Sequence, residues 1–110
     1  MVKDWVPSVG EVIWVDLNPT VGHEQAGRRP ALVLTPSFYN AKTSLLLACA
    51  MTKEVKAYSF EVTMPDGFVV LADQIKCLDW RFRNVKFKEV APEEVVKQVR
   101  SLLGSLLQII

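Results

Sequence analysis

Residues 22–30, GHEQAGRRP, place an acid, an amide, the single histidine and two adjacent arginines in one short segment. Glu24 and His23 are side chains that can accept a proton near neutral pH. Arg29 directly precedes Pro30 at the start of an apolar run. A guanidinium anchored there presents forked donors that match two phosphate oxygens. The segment therefore suggests proton transfer beside a phosphate; the alternative is a solvated loop whose arginines pair with nearby carboxylates.

A second polar group follows an apolar stretch, in the sequence MTK at residues 51–53. If that stretch is a strand, Thr52 and Lys53 emerge at the rim of the sheet. The Thr52 hydroxyl can donate to a phosphate oxygen, and Lys53 can add positive charge. The same pattern also suits an ordinary strand end followed by a surface lysine.

Residues 72–88 interleave basic and aromatic side chains, which suggests a nucleic-acid partner. Cations neutralise phosphates, and aromatic faces stack on unpaired bases. Alternating aromatic residues are also typical of a strand that packs on a core. The basic residues are Lys76, Arg81, Arg83, Lys86 and Lys88, and the aromatic residues are Trp80, Phe82 and Phe87.

The hydrophobic pattern predicts a mainly β (α+β) scaffold for these segments. The predicted strands are 11–17, 31–35, 44–51, 58–64, 67–76 and 84–90, and the segment 44–51 also suits a helix. Pro92, Glu93 and Glu94 favour a helix start, and apolar residues follow at three- and four-residue steps. We therefore expect one domain, residues 1–110, with a small, strongly curved antiparallel sheet or barrel and a C-terminal helix. The candidate subunit interface is the apolar end formed by Leu106, Leu107, Ile109 and Ile110.

Composition narrows the class of protein. The chain has 110 residues, half of them hydrophobic, and a net charge of +1, so it is globular and any nucleic-acid binding must rest on local patches. Cys49 and Cys77 lie in apolar runs and are predicted to be buried, reduced thiols, with a disulfide as the alternative. A single histidine argues against a zinc site, and no cofactor is expected. We expect a cytoplasmic protein with no membrane partner, since no signal peptide or membrane-spanning run is apparent.

Several segments share the pattern of a known family. The longest is GEVIWVDLNPTVGHEQAGRRPALVLTP at residues 10–36. The shorter ones are YNAKT (39–43), MT (51–52), YSFEV (58–62), VVLADQIK (69–76) and APEE (91–94). In this order they resemble the MazF/PemK-type toxins, the ribonuclease halves of bacterial toxin–antitoxin pairs, over essentially the whole chain.

That resemblance implies an SH3-like antiparallel barrel that forms a homodimer. It also implies sequence-specific cleavage of single-stranded RNA without a metal ion, which leaves a 2′,3′-cyclic phosphate and a 5′-hydroxyl. A labile cognate antitoxin is expected to bind the dimer and block the RNA groove.

The resemblance also implies roles for individual residues. Arg29 matches the arginine of the family's RP step, Thr52 the threonine after the third strand, and Glu24 the glutamate of the HEQ run. These three are the expected catalytic residues: Arg29 stabilises charge, with protonation of the leaving oxygen as a weaker second role, Thr52 orients an oxygen and Glu24 accepts the proton. His23 and Asp73 are the alternative bases. The expected RNA-binding residues are His23, Gln25, Lys53, Asp73, Gln74 and Arg83.

One branch of the family departs from this chain. In the Kid-like branch, the aspartate of the DQ step contributes to catalysis, and it corresponds to Asp73. Leu71 stands where that branch has an arginine, so the chain follows the MazF pattern instead. The branch's RNA-binding arginine corresponds to Arg83.

Two other functions fit a chain of this kind. CcdB-type toxins have the same architecture but poison DNA gyrase by protein contact. That activity resembles the docking of a C-terminal end that carries a tryptophan, whereas this chain ends LLGSLLQII, without a tryptophan. The second alternative is a non-catalytic module that binds RNA or sequesters an antitoxin.

Overall fold

The computed structural model describes residues 5–109, and within them the chain forms six strands and two α-helices. The strands are β1 (Glu11–Asp16), β2 (Arg28–Val33), β3 (Leu45–Thr52), β4 (Glu61–Thr63), β5 (Val69–Asp79) and β6 (Lys86–Val90). The helices are α1 (Ser37–Thr43) and α2 (Glu93–Leu106), and a short 3-10 turn spans Trp80–Phe82.

The six strands form one antiparallel sheet in the order β4-β5-β3-β2-β1-β6. The register shifts between Val12 and Ile13 and between Cys49 and Met51, and irregularities of this kind bend and twist a strand. The sheet accordingly curls into a half-barrel whose edges are β4 and β6. The expected mainly β fold with a C-terminal helix is confirmed.

Hydrophobic side chains are buried on both faces of the curled sheet. One cluster lies between the sheet and α2, where Val95, Val99 and Leu103 pack against strand residues such as Val12 and Leu32. The other cluster lies on the opposite face and includes Ile13, Val15, Ala31, Val33, Leu46 and Leu78. Because successive residues of a strand face opposite sides, central strands buried on both faces appear in the sequence as continuous apolar runs.

Several strands differ from the sequence prediction in their bounds, and β5 ends at Asp79, three residues beyond the predicted end at residue 76. Strand β2 begins at Arg28, not at residue 31, because Arg28 and Arg29 pair with Asp16 and Val15 of β1. The strand predicted at 44–51 is confirmed as β3, which lies between β2 and β5, and the helix that this segment also suited does not form. The residues after Pro36, for which no strand was predicted, form the seven-residue helix α1.

The predicted strand 58–64 is wrong in its first half, since β4 spans only Glu61–Thr63. Both Glu61 carboxylate oxygens accept backbone N–H groups, from Lys56 and Ala57, each at 2.8 Å. The Glu61 N–H donates to the Tyr58 carbonyl at 3.1 Å. These bonds fold residues 53–60 back as a compact loop before β4 begins at Glu61.

The two cysteines are free thiols, but the prediction that both are buried is wrong for Cys77. Cys49 lies in the core, where burial raises the pKa of its thiol to about 12. Cys77 pairs with Leu47 in β5, and its side chain is exposed. Over residues 5–109, neither helix has the length and apolar character needed to cross a membrane.

Candidate active site

The Arg29 guanidinium is held in place at the rim of the sheet. Its Nε donates to the Ala26 carbonyl at 2.7 Å, and its Nη1 donates to Thr52 Oγ1 at 3.3 Å. Within residues 5–109, no carboxylate forms an ion pair with Arg29, whereas the adjacent Arg28 pairs with Asp16 at 3.1 Å. The positive charge of Arg29 is therefore oriented and available to an anion.

Thr52 is the last residue of β3 and is only 3% exposed. Its hydroxyl oxygen accepts hydrogen bonds from Arg29 Nη1 and from the Glu54 backbone N–H, the latter at 3.1 Å. A threonine hydroxyl has two acceptor sites and one donor proton. With both acceptor sites used, the remaining proton can be donated to a ligand oxygen beside Arg29.

Loop 17–27, which connects β1 to β2 and carries Glu24 and Gln25, is closed at its base by several hydrogen bonds. The Gly27 N–H donates to Asn18 Oδ1 at 3.1 Å, and the Gly27 carbonyl accepts from the Leu17 N–H at 2.9 Å. Arg83 adds a clamp, because its Nη1 donates to the carbonyls of Asp16 at 3.1 Å and Asn18 at 3.0 Å. Arg83, predicted to bind RNA, is thus placed where it supports the loop.

Replacing Arg83 by methionine is expected to raise the rate at which a glutamate-specific protease cuts after Glu24 by roughly tenfold or more, because two charge-assisted bonds that oppose loop opening are lost. Arg81→Met is the matched control, since Arg81 stacks on Trp80 and donates to the Ala41 carbonyl, away from the loop. An unchanged nicking rate together with weakened RNA binding would instead support a direct RNA contact.

Glu24 is exposed on loop 17–27 and forms an ion pair with a lysine of β5. Lys76 Nζ lies 2.8 Å from Glu24 Oε1, and the two side chains are 18% and 52% exposed, respectively. This hydrogen bond and the charge of Lys76 lower the pKa of Glu24. Glu24 is therefore ionised over a wide pH range, but it is a weaker base than a glutamate without a partner.

A cleft of about 310 Å³ opens beside Thr52, and we call it the Thr52 cleft. Loop 17–27 contributes to one wall, and its position is fixed by the Gln25 N–H, which donates to Gln74 Oε1 at 2.9 Å. The cleft brings together five residues that the sequence predicted for the site: His23, Gln25, Thr52, Asp73 and Gln74.

Sequence reasoning missed several residues of the Thr52 cleft. They are Glu54, Lys56, Tyr58, Glu61 and Leu71. Tyr58 donates from its hydroxyl to Asp73 Oδ1 at 2.7 Å. Burial, followed by this bond to Asp73, raises the pKa of Tyr58 well above its ordinary range, so the hydroxyl keeps its proton at neutral pH. The alternation of YSFEV suggested a strand, which concealed that Tyr58 belongs to a loop.

Lys53 is not brought into the cleft with Thr52. Its Nζ lies 5.0 Å from the centre of the Phe68 ring. Lys56, three residues later, lines the cleft in its place. In the described part of the chain, no three His, Cys, Asp or Glu side chains are grouped as a set that could hold a metal ion.

Comparison with known proteins identifies the family. Residues 8–107 match the model of the PemK-like, MazF-like toxins of type II toxin-antitoxin systems, and the chain belongs to this family. It is 50% identical over 100 residues to the endoribonuclease toxin MazF of Escherichia coli K12, an alignment that covers 86% of this chain and 89% of the relative. It is 35% identical over 107 residues to the Escherichia coli endoribonuclease PemK, covering 89% and 80%.

Solved structures agree with this membership. Crystalline MazF from Deinococcus radiodurans is 49% identical, with a TM-score of 0.92 over 96% of this chain and 99% of the other. A MazE-MazF crystal structure from the same organism is 48% identical, with a TM-score of 0.88 over 97% and 100%. The fold, the curled sheet with its C-terminal helix, is thus shared along nearly the whole chain.

Proposed function

We propose that this protein is a sequence-specific, metal-independent endoribonuclease toxin that cleaves single-stranded RNA. The observation that carries the proposal is the Arg29–Thr52 pair, an oriented cation and a hydroxyl donor at the mouth of a cleft. Family membership supports it, since the relatives described above are named endoribonucleases.

Cleavage without a metal uses the 2′-hydroxyl of the RNA as nucleophile. The 2′-oxygen attacks the adjacent phosphorus, its proton passes to a base, and the bond from phosphorus to the 5′-oxygen breaks. The leaving oxygen takes a proton, so the products are a 2′,3′-cyclic phosphate and a 5′-hydroxyl. Arg29 stabilises the negative charge that develops on the phosphorane, and Thr52 donates to a non-bridging oxygen.

Glu24 is our first assignment for the base that takes the 2′-proton. Its ion pair with Lys76 keeps it ionised and fixes its direction, at the cost of some basicity. His23 and Asp73 remain the alternatives, and both line the Thr52 cleft. One oxygen of each carboxylate is engaged, Asp73 Oδ1 by the Tyr58 hydroxyl and Glu24 Oε1 by Lys76, so the preference for Glu24 rests on its place in the HEQ run.

The test is to incubate the purified protein with long single-stranded RNA in excess EDTA, beside an Arg29→Ala variant, and to analyse the fragment ends. We expect discrete fragments with cyclic-phosphate and 5′-hydroxyl ends that the variant does not produce. Sequencing the ends also defines the recognised RNA sequence. Intact RNA from a folded protein would contradict the proposal, and a gyrase-inhibition assay would then follow.

We also propose that a cognate antitoxin neutralises the protein in the cytoplasm. The family description, a toxin of a type II toxin-antitoxin system, supports this partner, as does the similarity to MazF solved together with MazE. Free thiols at Cys49 and Cys77 suit a reducing compartment.

A homodimer is the expected assembly, and an apolar groove at the end of α2 is our candidate for its interface. The groove holds about 510 Å³, and its apolar lining includes Leu34, Leu103, Leu107 and Ile109. Leu107 and Ile109 are 61% and 73% exposed in the single chain. An apolar surface of this kind commonly marks a protein interface. Ile110, the last member of the predicted interface, lies outside the described residues.

Leu107→Glu is expected to weaken the dimer at least about a hundredfold, because the desolvation of a carboxylate would replace the burial of an apolar side chain. Light scattering should give twice the 12.4 kDa of one chain for the native protein and 12.4 kDa for the variant. Phe38→Glu changes an exposed apolar residue on α1, 77% exposed against 61% for Leu107, and should leave the dimer intact. A dimeric Leu107→Glu protein would exclude this surface as the interface.

A further inference from the structure

Loop 53–60 connects Thr52, at the end of β3, to Glu61, at the start of β4, and forms part of the Thr52 cleft. Three residues of the loop line the cleft, namely Glu54, Lys56 and Tyr58. All of this segment is described, and none of it is helix or strand. The contacts that hold the loop therefore decide the shape of the cleft.

Side-chain oxygens at the two ends of the loop hold its backbone. The Glu54 N–H donates to Thr52 Oγ1 at 3.1 Å. The N–H groups of Lys56 and Ala57 donate to the two carboxylate oxygens of Glu61, each at 2.8 Å. Because hydrogen bonds to an ionised carboxylate are stronger than bonds between neutral groups, Glu61 is the principal anchor of the loop.

Ala57 shows that the loop is held in a conformation that its sequence does not favour. Its φ is +58°, in the left-handed region that a residue with a Cβ atom rarely adopts. The Ala57 N–H is one of the two that Glu61 binds. The carboxylate thus opposes a local backbone strain, and without it the backbone is free to leave this conformation.

Glu61 lies at the Thr52 cleft, but its carboxylate binds the loop backbone. The residue is half-buried and lines the cleft. Within residues 5–109, no lysine or arginine forms an ion pair with Glu61, so its charge is met by the two backbone N–H groups. A carboxylate repels phosphate, so any favourable effect of Glu61 on RNA binding must pass through the loop.

We propose that Glu61 is a positioning residue that presets loop 53–60, so that the Thr52 cleft is formed before RNA arrives. The inference rests on the proposed ribonuclease function and adds a residue to it. When the binding-competent shape is only partly populated, the apparent affinity falls by that fraction. Arg29 keeps its own bonds to Ala26 and Thr52 when Glu61 is changed, so the loss falls on binding and not on the chemical step.

The first test compares kcat and KM of Glu61→Gln and of the native protein on an oligoribonucleotide that contains the native cleavage sequence. Glutamine keeps one acceptor oxygen but places an NH₂ donor against the other backbone N–H. We expect KM to rise by about tenfold or more while kcat stays within about threefold of the native value. The direction is informative, because removal of a negative charge beside RNA would by itself lower KM.

Two variants control for charge and for stability. Glu54→Gln removes a carboxylate from the same cleft without changing the anchor, so its KM should be unchanged or lower. Glu11→Gln alters a similar anchor outside the lining of the cleft, since Glu11 begins β1 and accepts the Ser8 N–H at 3.0 Å. Its KM and kcat should stay near native, and a rise in KM equal to that of Glu61→Gln would overturn the proposal. An unchanged KM in Glu61→Gln, or a fall in kcat alone, would also overturn it.

Amide hydrogen exchange in the native protein without RNA tests the proposal even if Glu61→Gln does not fold. The amides of Lys56 and Ala57 should be protected in the free protein, because both are bound to Glu61. Exchange of both amides at the rate of an unstructured chain would show that the loop is not preset, and would overturn the proposal. If the native protein cuts no RNA, the proposed function fails, whereas the exchange result still reports on the loop, so the two failures are distinguishable.

Discussion

Arg29→Ala is expected to lower kcat/KM for RNA cleavage by about 100- to 1000-fold while the protein stays folded. The Ala26 carbonyl and the Thr52 hydroxyl fix the direction of the guanidinium before substrate arrives. A donor that is already oriented toward developing charge requires no reorganisation during the reaction, so its loss is felt mainly in the rate. Initial rates on a fluorogenic oligoribonucleotide that contains the native cleavage sequence measure the effect, and circular dichroism checks the fold.

Arg28→Ala is the control that the chain itself provides. Arg28 is the neighbouring arginine in β2, but it pairs with Asp16 and donates to the Asn84 carbonyl at 2.7 Å. We expect the RNA cleavage rate of Arg28→Ala to stay within about tenfold of the native rate, because this variant loses at most one attraction to a phosphate. The cleavage rate of Arg29→Lys should lie between those of Arg28→Ala and Arg29→Ala, because lysine keeps the positive charge but lacks the forked donors of arginine. Equal losses in Arg28→Ala and Arg29→Ala would contradict the assigned role.

Glu24→Gln is expected to lower the cleavage rate by about 100- to 10,000-fold, because glutamine cannot accept the 2′-proton. RNA binding should remain near normal, since the amide has almost the same shape and Glu24 lies exposed on the loop. Single-turnover cleavage and the binding of a 2′-deoxy-substituted oligonucleotide separate the two quantities. Cleavage by Glu24→Gln at the native rate would show that Glu24 is not the base.

The pH profile tests the same assignment independently. Lys76 lowers the pKa of Glu24, so Glu24 loses its proton at a lower pH than an ordinary glutamate does. The acidic limb of kcat/KM should therefore lie below the usual glutamate range in the native protein. In Lys76→Met both lowering effects of Lys76 are lost, and the limb should move to higher pH.

Lys42→Met controls for the loss of one positive charge, because Lys42 is exposed on α1 and its change should leave the acidic limb in place. A limb that stays in place in Lys76→Met as well would mean that another group, such as His23, accepts the proton. The position of the limb is the quantity compared, since loss of a lysine can also weaken RNA binding.

Most of the scaffold could be predicted from local patterns. Alternation, β-branched residues and short apolar runs located β1, β3, β5 and β6, and the three- and four-residue spacing after Pro92 located α2. Predictions were wrong where contacts that the pattern does not show override local preference. Glu61 accepts the backbone N–H groups of residues 56 and 57 and begins β4, so the strand predicted from Tyr58 starts three residues later. Cys77 lies in an apolar run, yet its side chain is exposed.

The sequence by itself determined which side chains are present for chemistry, which family the chain resembles and which segments form strands, because these depend on residue type and spacing along the chain. Only the tertiary structure decided which of those side chains meet. Arg29 reaches Thr52 across 23 positions, and Lys76 reaches Glu24 across 52. Such pairs depend on the register and curl of the sheet, which emerge from the packing of all strands together. The same packing turns Arg83 toward the backbone of loop 17–27 and brings Tyr58 to Asp73.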